Sequence, residues 1–539
     1  MNITSEKRTS MKLDRVITVL FLCSILFVLF QNARSLYTYP VPNSWIYWSG
    51  DETQAMSESV AQVKSGIYSY PLAVGSIFSQ GSGIVKGSVW ISSLLYGGAG
   101  MIGANLVDAG RTASFVVAIF VLAAIYFIAR RYGVRRNVAL FGVLAFAATP
   151  CFLIMSHCAR YDIFVGFSCL LLIAFLIPPN GTNISRTVPP SGVAIGLVLI
   201  AGLMVSAHVW IDCFLAVLFL MWRRKIWRKP KSLLQMVLTT ACGLALLSLV
   251  YYLGAGRFDL LGPFDHVPLP LYRFFSPGAE RGNLLYRWFI VRQWSPAYIG
   301  IGMMLLVGII YFLIKKKHFS SVVIEWAGAV GLILFSIVYL EMIVPRYYIY
   351  VLPAITVLIA LVADQLWTNI ERNSLRWAIG TLIVAFLGAQ TVLFMRNADE
   401  EAMYSAKLVL NNSNALHSVK EILEKDSASR IRVVGYPAAL YVMEKWPRIQ
   451  TIVPLFLDAP SAAWVRDRSP NGSRADYLVS YNSSRVLDPT QNDRLVLDWL
   501  DGHAIKVFES VGCYTDIGRS YSADGMKGFD TLRLYRMHP

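Results

Sequence analysis

An adjacent pair of carboxylates, Asp51 and Glu52, follows the first apolar segment of the sequence and lies among aromatic residues in the stretch 45–70. Placing an acidic group close to a bilayer costs free energy, so such a group usually has a function. A carboxylate in this place could accept the proton of a hydroxyl group. The alternative interpretation is a solvated loop in which Asp51 or Thr53 caps the N-terminus of the helix that follows. Both interpretations are open at this point.

Charged and polar residues from several distant segments are predicted to collect at the same membrane edge as this pair. The orientation that brings them together follows from the basic loops alone. These residues are Lys86, His157, Arg160, Asp162, His208 and Arg346. Charges at the membrane edge that come from several spans tend to line one shared cavity. Arginine and lysine in such a cavity could hold a phosphate, arginine in bidentate fashion.

Each of these residues also has an ordinary structural interpretation. His208 alone is more typical of a satisfied interfacial histidine, and Arg346 of an anchor in an aromatic belt. Arg160 and Asp162 could form an ion pair at a helix end. The sequence contains no glycine loop for a nucleotide and no Walker motif. We therefore expect a phosphate-bearing substrate at this edge to be attached to a lipid.

The composition indicates a membrane protein. Of the 539 residues, 55% are hydrophobic and only 15% are charged, whereas roughly 25% are charged in soluble domains. Apolar runs long enough to cross a bilayer recur along the chain. The net charge of +16 lies largely in short loops, as orientation signals do, and needs no nucleic acid to explain it. The seven scattered cysteines form neither a disulfide framework nor a metal motif.

The basic loops set the orientation of the spans. Residues 1–15 are placed in the cytoplasm, and the first span, 16–36, runs outward. The Gly- and Ser-rich segment 85–107 is apolar, but if it crossed the membrane, the basic cluster 130–136 would lie outside. We therefore interpret 85–107 as a re-entrant or interfacial segment, which is tolerated only against protein or a wet cavity. With that choice, the sequence predicts about eleven spans in residues 1–396.

The last part of the chain, residues 397–539, is polar and has the pattern of a soluble domain. Three short segments, 432–434, 451–455 and 477–479, predict strands, with helical pieces between them. We predict a small α/β domain on the outer side. The expected fold class is mainly α: a polytopic transmembrane helical bundle with a re-entrant or juxtamembrane segment, a first outer loop at 37–110, and this C-terminal extracytoplasmic domain.

Four local matches make the chain resemble the GT-C superfamily of membrane glycosyltransferases, most closely the branch of protein O-mannosyltransferases and the lipid A aminoarabinose transferase. The acidic pair with its helix looks like the first outer loop of that branch, and residues 86–98 resemble its juxtamembrane segment. Residues 129–162 and 345–353 are similar to its third-span region with an Arg/Asp motif and to the Arg-Tyr to Leu-Pro start of a late span. The resemblance covers roughly residues 10–395.

The resemblance implies a GT-C fold and a base for the reaction. Asp51 would deprotonate the acceptor hydroxyl, with Glu52 orienting or assisting it. Direct displacement by one base would invert the anomeric carbon. The chain departs from the branch at Gly87 and Ser88, where the motif has two prolines. It departs again at Val85, where the aminoarabinose transferase has an acidic residue.

The resemblance also implies how the donor is held. The residues that would neutralise the leaving polyprenyl phosphate are Lys86, Arg160 and Arg346. Their positive charges would stabilise the transition state most strongly, because the negative charge of the leaving group grows there. Asp162 would hold the neighbouring arginine or contact the acceptor, and His208 and Tyr347 would contact the substrate.

The sequence thus favours an integral-membrane glycosyltransferase of the bacterial inner membrane, whose active site and C-terminal domain are periplasmic. It would move a hexosyl or pentosyl group from a polyprenyl-phosphate donor to a glycolipid, polysaccharide or protein. One alternative is a transporter or flippase of a lipid-linked or anionic solute, which would often show broken spans in both halves, and another is a non-catalytic scaffold. We predict no specific cofactor; a divalent metal stays open, because no ligand set with convincing spacing occurs.

Overall fold

The computed structural model describes the chain in separate segments. The described residues are 3–36, 59, 90–102, 106–149, 152, 156–157, 162–179, 192–205, 207–255, 319–340, 349–368, 414–435, 448–452, 476–483, 502, 504–513 and 530–538. The chain divides into two compact units. The first contains Met1–Thr38, Arg111–Ser248 and His266–Asn397, and the second contains Tyr39–Gly110, Leu249–Asp265 and Ala398–Pro539.

Apolar helices make up most of the described chain before residue 369. They are α1 (Ile3–Ser35), α2 (Trp90–Ile102), α3 (Leu106–Arg131), α4 (Arg136–Ala147), α5 (Asp162–Leu176), α6 (Gly192–Val205), α7 (Ala207–Arg223), α8 (Pro230–Ala255), α9 (Ser321–Leu340) and α10 (Leu352–Thr368). Among the described residues, two stretches are long and apolar enough to cross a membrane, Arg15–Arg34 and Ala109–Arg131, and five shorter apolar helices accompany them. The predicted number of about eleven spans stays a prediction.

Helix α2 lies within the segment that the sequence predicts not to cross the membrane. Its 13 residues are about 20 Å long at the rise of an α-helix. The hydrocarbon core of a bilayer is about 30 Å thick, so this helix is too short to cross it alone. The path of 85–89 lies outside the described residues, and the re-entrant interpretation of the whole segment therefore stays a prediction.

The helices of the first unit pack around α4, which is buried from Asn137 to Ala147. Helix α4 lies against α1 and α10, while α7 packs against α9, α5 and α6. The contact between α7 and α9 is close because Gly328 has no side chain. A Cβ atom at this position would meet the Phe219 ring at 2.5 Å. Helix α1 buries only one stripe, which includes Phe21 and Ile25, and its other face exposes large apolar residues as a lipid-facing helix does.

One end of this bundle is tied together by polar contacts between loops. The Tyr132 hydroxyl, just after α3, donates to the carbonyls of Ala174 at 3.0 Å and Ile177 at 2.7 Å, at the end of α5. The same tyrosine ring meets Trp326 of α9 edge-on, with 5.8 Å between the ring centroids. Next to that tryptophan, Glu325 is buried and forms an ion pair with Arg224 at the end of α7. The ends of α3, α5 and α7 and the start of α9 therefore share one end of the bundle.

The end of α10 joins the same group. The Arg135 Nε atom lies 3.0 Å from Oδ1 of Asp364, and the Arg135 backbone N–H donates to that oxygen at 2.9 Å. All of these residues belong to loops or helix ends that the sequence places in the cytoplasm. We call this group of contacts the basic end of the bundle. The first residues of α5, α7 and α10 consequently lie toward the opposite end.

The C-terminal part of the second unit contains a five-stranded mixed sheet. Its strands are β1 (Ile431–Gly435), β2 (Ile449–Ile452), β3 (Tyr477–Ser483), β4 (Ala504–Cys513) and β5 (Asp530–Met537), in the spatial order β2-β1-β3-β5-β4. Strand β1 is parallel to β2 and β3, and β5 is antiparallel to β3 and β4. A helix at 414–424 packs Leu416, Val419 and Leu423 on one face of the sheet. The three segments for which the sequence predicts strands coincide with or overlap β1, β2 and β3.

Candidate functional site

A buried contact joins the start of α5 to the start of α10. The Tyr350 hydroxyl donates to Oδ1 of Asp162 at 2.8 Å. Asp162 is 5% exposed and Tyr350 is fully buried. A hydrogen bond to an ionised group in such a site is short and about twice as strong as one between neutral groups. The contact therefore fixes the relative position of two helix starts at the end of the bundle opposite the basic end.

The local sequence explains why these two side chains meet. Asp162 is the first residue of α5, where the partial positive charge of a helix N-terminus stabilises a carboxylate. Tyr350 belongs to the short turn at 349–350 that leads into α10. Helices α5 and α10 pack directly against each other, so the phenol hydroxyl reaches the carboxylate across the helix interface.

A second polar pair lies just before α5. The Ser156 Oγ atom and the His157 Nδ1 atom are 2.9 Å apart, and both residues are buried. A hydrogen bond at the Nδ1 atom of a histidine helps to fix the orientation and tautomer of its ring. His157 was among the residues that the sequence predicted at this membrane edge, and its segment leads directly into Asp162.

The backbone of His208 lies at a depth similar to that of Asp162. At 1.5 Å per residue, Asp162 is about 22 Å from Ile177 and His208 is about 24 Å from Arg224, and both reference residues belong to the basic end. Helices α5 and α7 are neighbours that both run toward this end, and each buries a cysteine along its length, Cys169 and Cys213 respectively. The described structure thus brings the helix positions of Asp162 and His208 to one end of the bundle.

The remaining predicted site residues lie outside the described residues. They are Asp51, Glu52, Lys86, Arg160, Arg346 and Tyr347. Their roles stay predictions. Within the part of the chain that the structure describes, no group of three or more His, Cys, Asp or Glu residues could hold a metal ion.

Two residues of this region were missed by the sequence reasoning. Tyr350 follows the predicted Tyr347 by three positions, and its tyrosine-rich surroundings gave no sign of which hydroxyl would face Asp162. Asp212 is fully buried within α7. A sequence signal for Asp212 was present, because an ionisable residue inside an apolar span is a candidate functional residue by default.

Comparison with known proteins rests on structure. No model of a known protein family matches the chain, and no curated protein was found with a similar sequence. The crystal structure of ArnT from Cupriavidus metallidurans bound to undecaprenyl phosphate superposes with a TM-score of 0.56 at 14% identity, covering 96% of this chain and 97% of that one. The apo structure of the same protein gives a TM-score of 0.50 with the same identity and coverage.

The likeness extends over nearly the whole of both chains, including the part after residue 397. It confirms the resemblance to the GT-C branch that contains the lipid A aminoarabinose transferase, at the level of the fold. The chain therefore shares the fold of ArnT.

Proposed function

We propose that this protein is an integral-membrane glycosyltransferase that moves a sugar from a polyprenyl-phosphate donor to an acceptor hydroxyl. The observation that carries the proposal is the fold likeness to ArnT, which was crystallised with undecaprenyl phosphate, over 96% of this chain. The predicted residues for a base and for a phosphate clamp occur in the order and spacing that the resemblance requires. The transferred group is a hexosyl or pentosyl unit.

The contact between Asp162 and Tyr350 supports the proposal that two of the phosphate-binding residues, Arg160 and Arg346, lie close together. Arg160 precedes Asp162 by two residues and Arg346 precedes Tyr350 by four. An extended chain covers at most about 3.6 Å per residue. The Cα atoms of Arg160 and Arg346 are then within about 7 Å and about 14 Å of the two bonded residues. Two cations so tethered, together with Lys86, suit a phosphate that gains negative charge as it leaves.

In the proposed reaction, Asp51 accepts the proton of the acceptor hydroxyl as its oxygen forms a bond to the anomeric carbon. The bond from that carbon to the phosphate oxygen breaks, and polyprenyl phosphate leaves with the electron pair. Glu52 orients the base. A single displacement of this kind inverts the anomeric configuration. A base placed within reach of the hydroxyl contributes typically 10²- to 10⁴-fold to the rate.

The proposed location follows from the loop charges. The basic end of the bundle lies in the cytoplasm, according to the positive-inside rule. Asp162 and His208 then lie on the periplasmic side of the inner membrane. The same charge rule, applied to the sequence, puts residues 397–539 on that side. On that side, a donor anchored by a polyprenyl chain is delivered from within the bilayer, and the acceptor is a glycolipid, a polysaccharide or a protein.

The experiment uses the purified full chain in nanodiscs with a panel of polyprenyl-phosphate hexoses and pentoses and a lipopolysaccharide acceptor, and it measures the release of polyprenyl phosphate. We expect Asp51→Asn to lower kcat by about 10²- to 10⁴-fold while undecaprenyl phosphate still raises the unfolding temperature. The matched control is Glu424→Gln, which neutralises an exposed carboxylate of the helix at 414–424 and should retain full activity. Unchanged transfer by Asp51→Asn would disprove its role as the base. Transfer by no donor in the panel, without stabilisation by undecaprenyl phosphate, would refute the proposed function.

A further inference from the structure

The connection between α7 and α8 carries a dense cluster of positive charge at the basic end. Residues 222–231, which we call the basic link, contain six lysines and arginines and no acidic residue. Two of the six face the buried Glu325: Arg224 forms the ion pair described above, and the Arg223 Nε atom lies 3.9 Å from the carboxylate. The other four are exposed, and no carboxylate in the described part of the chain lies within ion-pair distance of them; they are Lys225, Arg228, Lys229 and Lys231.

The basic link is folded into a defined turn. The backbone N–H of Arg228 donates to the carbonyl of Lys225 at 3.0 Å, and that of Lys229 donates to the carbonyl of Ile226 at 2.9 Å. The Ile226 side chain is buried, and the turn packs against α7. Lys225 has a φ of 53°, in the left-handed region that lysine seldom adopts. The backbone that carries these charges therefore has one defined path.

The lipid-facing surfaces of α7 and α8 both end at the basic link. On α7, the exposed Leu218 leads, at a spacing of four residues, to Trp222, which is 63% exposed. On α8, Lys231 precedes the exposed Leu234 and Leu238 by three and seven residues, so it lies on the same side of the helix. An exposed tryptophan at the end of an apolar helix is typical of the boundary between hydrocarbon and headgroups. The link is therefore placed at the level where lipid phosphates begin.

Within the link, a cation–π contact holds one of the four exposed cations. The Arg228 Cζ atom lies 4.9 Å from the centroid of the Trp227 ring, and this tryptophan is 52% exposed. Such a contact engages the charge of the guanidinium with the ring. Among the described residues, no acceptor atom binds the N–H groups of this arginine. These donors are therefore available for a phosphate, which a guanidinium can bind in bidentate fashion.

We propose that the basic link binds the phosphate headgroup of an anionic phospholipid in the leaflet that surrounds this end of the bundle. Arg228 binds the phosphate with paired N–H donors, and Lys229 and Lys231 add point charges. The acyl chains lie along the exposed apolar residues of α7 and α8. Clusters of about four to eight lysines and arginines beside a membrane helix typically recognise anionic lipids. The apolar surfaces that end at the link favour a lipid over a water-soluble polyanion, and the inference does not depend on sugar transfer.

The test is the binding of defined lipids to the full chain in detergent micelles. Bound lipids are counted by native mass spectrometry during titration with phosphatidylglycerol or with phosphatidylcholine of the same acyl chains. The variant combines Arg228→Gln, Lys229→Gln and Lys231→Gln. Each lysine or arginine beside an anionic lipid contributes about fivefold to affinity. We therefore expect the wild type to prefer phosphatidylglycerol, and the triple variant to bind it about 100-fold more weakly while its binding of phosphatidylcholine is unchanged.

The matched control removes the same net charge at exposed or half-buried positions of the second unit, through Lys420→Gln, Lys425→Gln and Arg430→Gln. It should bind phosphatidylglycerol as the wild type does. Equal losses in the two triple variants, or equal affinity of the wild type for the two lipids, would overturn the proposal. Displacement of the lipid by millimolar inorganic phosphate would also overturn it, since the link would then bind free phosphate.

The unfolding temperature of each variant shows whether the fold is kept. Should the triple variant fail to fold, Arg228→Gln alone is titrated. Its expected loss of affinity for phosphatidylglycerol is about fivefold, and an unchanged affinity would count against the site.

Discussion

Replacing Tyr350 with phenylalanine removes the hydroxyl that donates to Asp162 at 2.8 Å and leaves the ring in place. Both residues are buried, so water does not readily substitute for the lost donor. A hydrogen bond to a charged group contributes about 1.5–3 kcal/mol. At 1.4 kcal/mol per factor of ten, this corresponds to a change of roughly 10- to 150-fold in the equilibrium or rate that depends on the bond.

We expect much of this change to be seen in function. Under the proposed function, the bond holds the segments that carry Arg160 and Arg346 at one site. Tyr350→Phe should therefore weaken the binding of undecaprenyl phosphate and lower kcat/KM for sugar transfer by about tenfold or more. Binding is measured by titration of the full chain in nanodiscs, and transfer by release of polyprenyl phosphate, both well below the unfolding temperature.

Tyr132→Phe is the matched control because it makes the same substitution at the other end of α5. It removes the hydroxyl that donates to the carbonyls of Ala174 and Ile177. Each bond to a neutral group contributes about 0.5–1.5 kcal/mol, so this variant should lose stability and keep its affinity and kcat/KM. If both variants lose activity to the same degree, or if Tyr350→Phe loses only stability, the bond between Tyr350 and Asp162 is a structural tie and the reasoning is refuted.

Two further predictions concern stability. Glu325→Gln leaves Arg224 without its buried counter-charge and should destabilise the bundle by about 3–5 kcal/mol. The double variant Glu325→Leu with Arg224→Met removes both charges and should recover most of the lost stability. Both are measured by thermal unfolding followed by tryptophan fluorescence. In the sheet unit, the N–H of Ala428 and the Tyr477 hydroxyl hold the pKa of Asp426 below its ordinary 3.8, so its contribution to stability is present above that pH and lost below it. Burial raises the pKa of Tyr477 to about 12, so its contribution is present below pH 10 and lost between about pH 10 and 12. The free energy of unfolding is measured across pH for two variants. Asp426→Asn should no longer lose stability in acid, and Tyr477→Phe should no longer lose stability in alkali. A variant with the same pH profile as the wild type would contradict the assignment made for its residue.

The loop charges of the sequence carry real information about which helix ends lie together. They assign the ends of α3, α5 and α7 to one side, and the structure joins these ends through Tyr132, Arg224 and Glu325. The cause is general, since the same positive-inside bias applies to each short loop in turn. Asp162 was predicted at the opposite edge for the same reason, and it lies at the start of α5 there.

The partners within each end could not be predicted in the same way. Which tyrosine of the group before α10 reaches Asp162 depends on the rotation of that helix against α5, and hydropathy is nearly uniform around both helices. The sheet shows a related limit. Strand β4 was not predicted, and its pairing with β5 shifts between Lys506 and Phe508 and again between Val511 and Cys513. These irregularities break the two-residue alternation by which a half-buried strand is identified.

The acidic residues at the two ends of the first unit make different contacts. At the basic end, Glu325 and Asp364 each face an arginine of another segment, so each charge is compensated by the protein itself. At the other end, Asp162 accepts a hydrogen bond from the Tyr350 hydroxyl, a neutral donor. Under the proposed function, this carboxylate also orients Arg160, because a guanidinium has five N–H donors and can contact a carboxylate and a phosphate together. The described contacts of the basic end anchor helices to one another, whereas the Asp162 end is the one at which the proposed function would bind the anionic lipid donor.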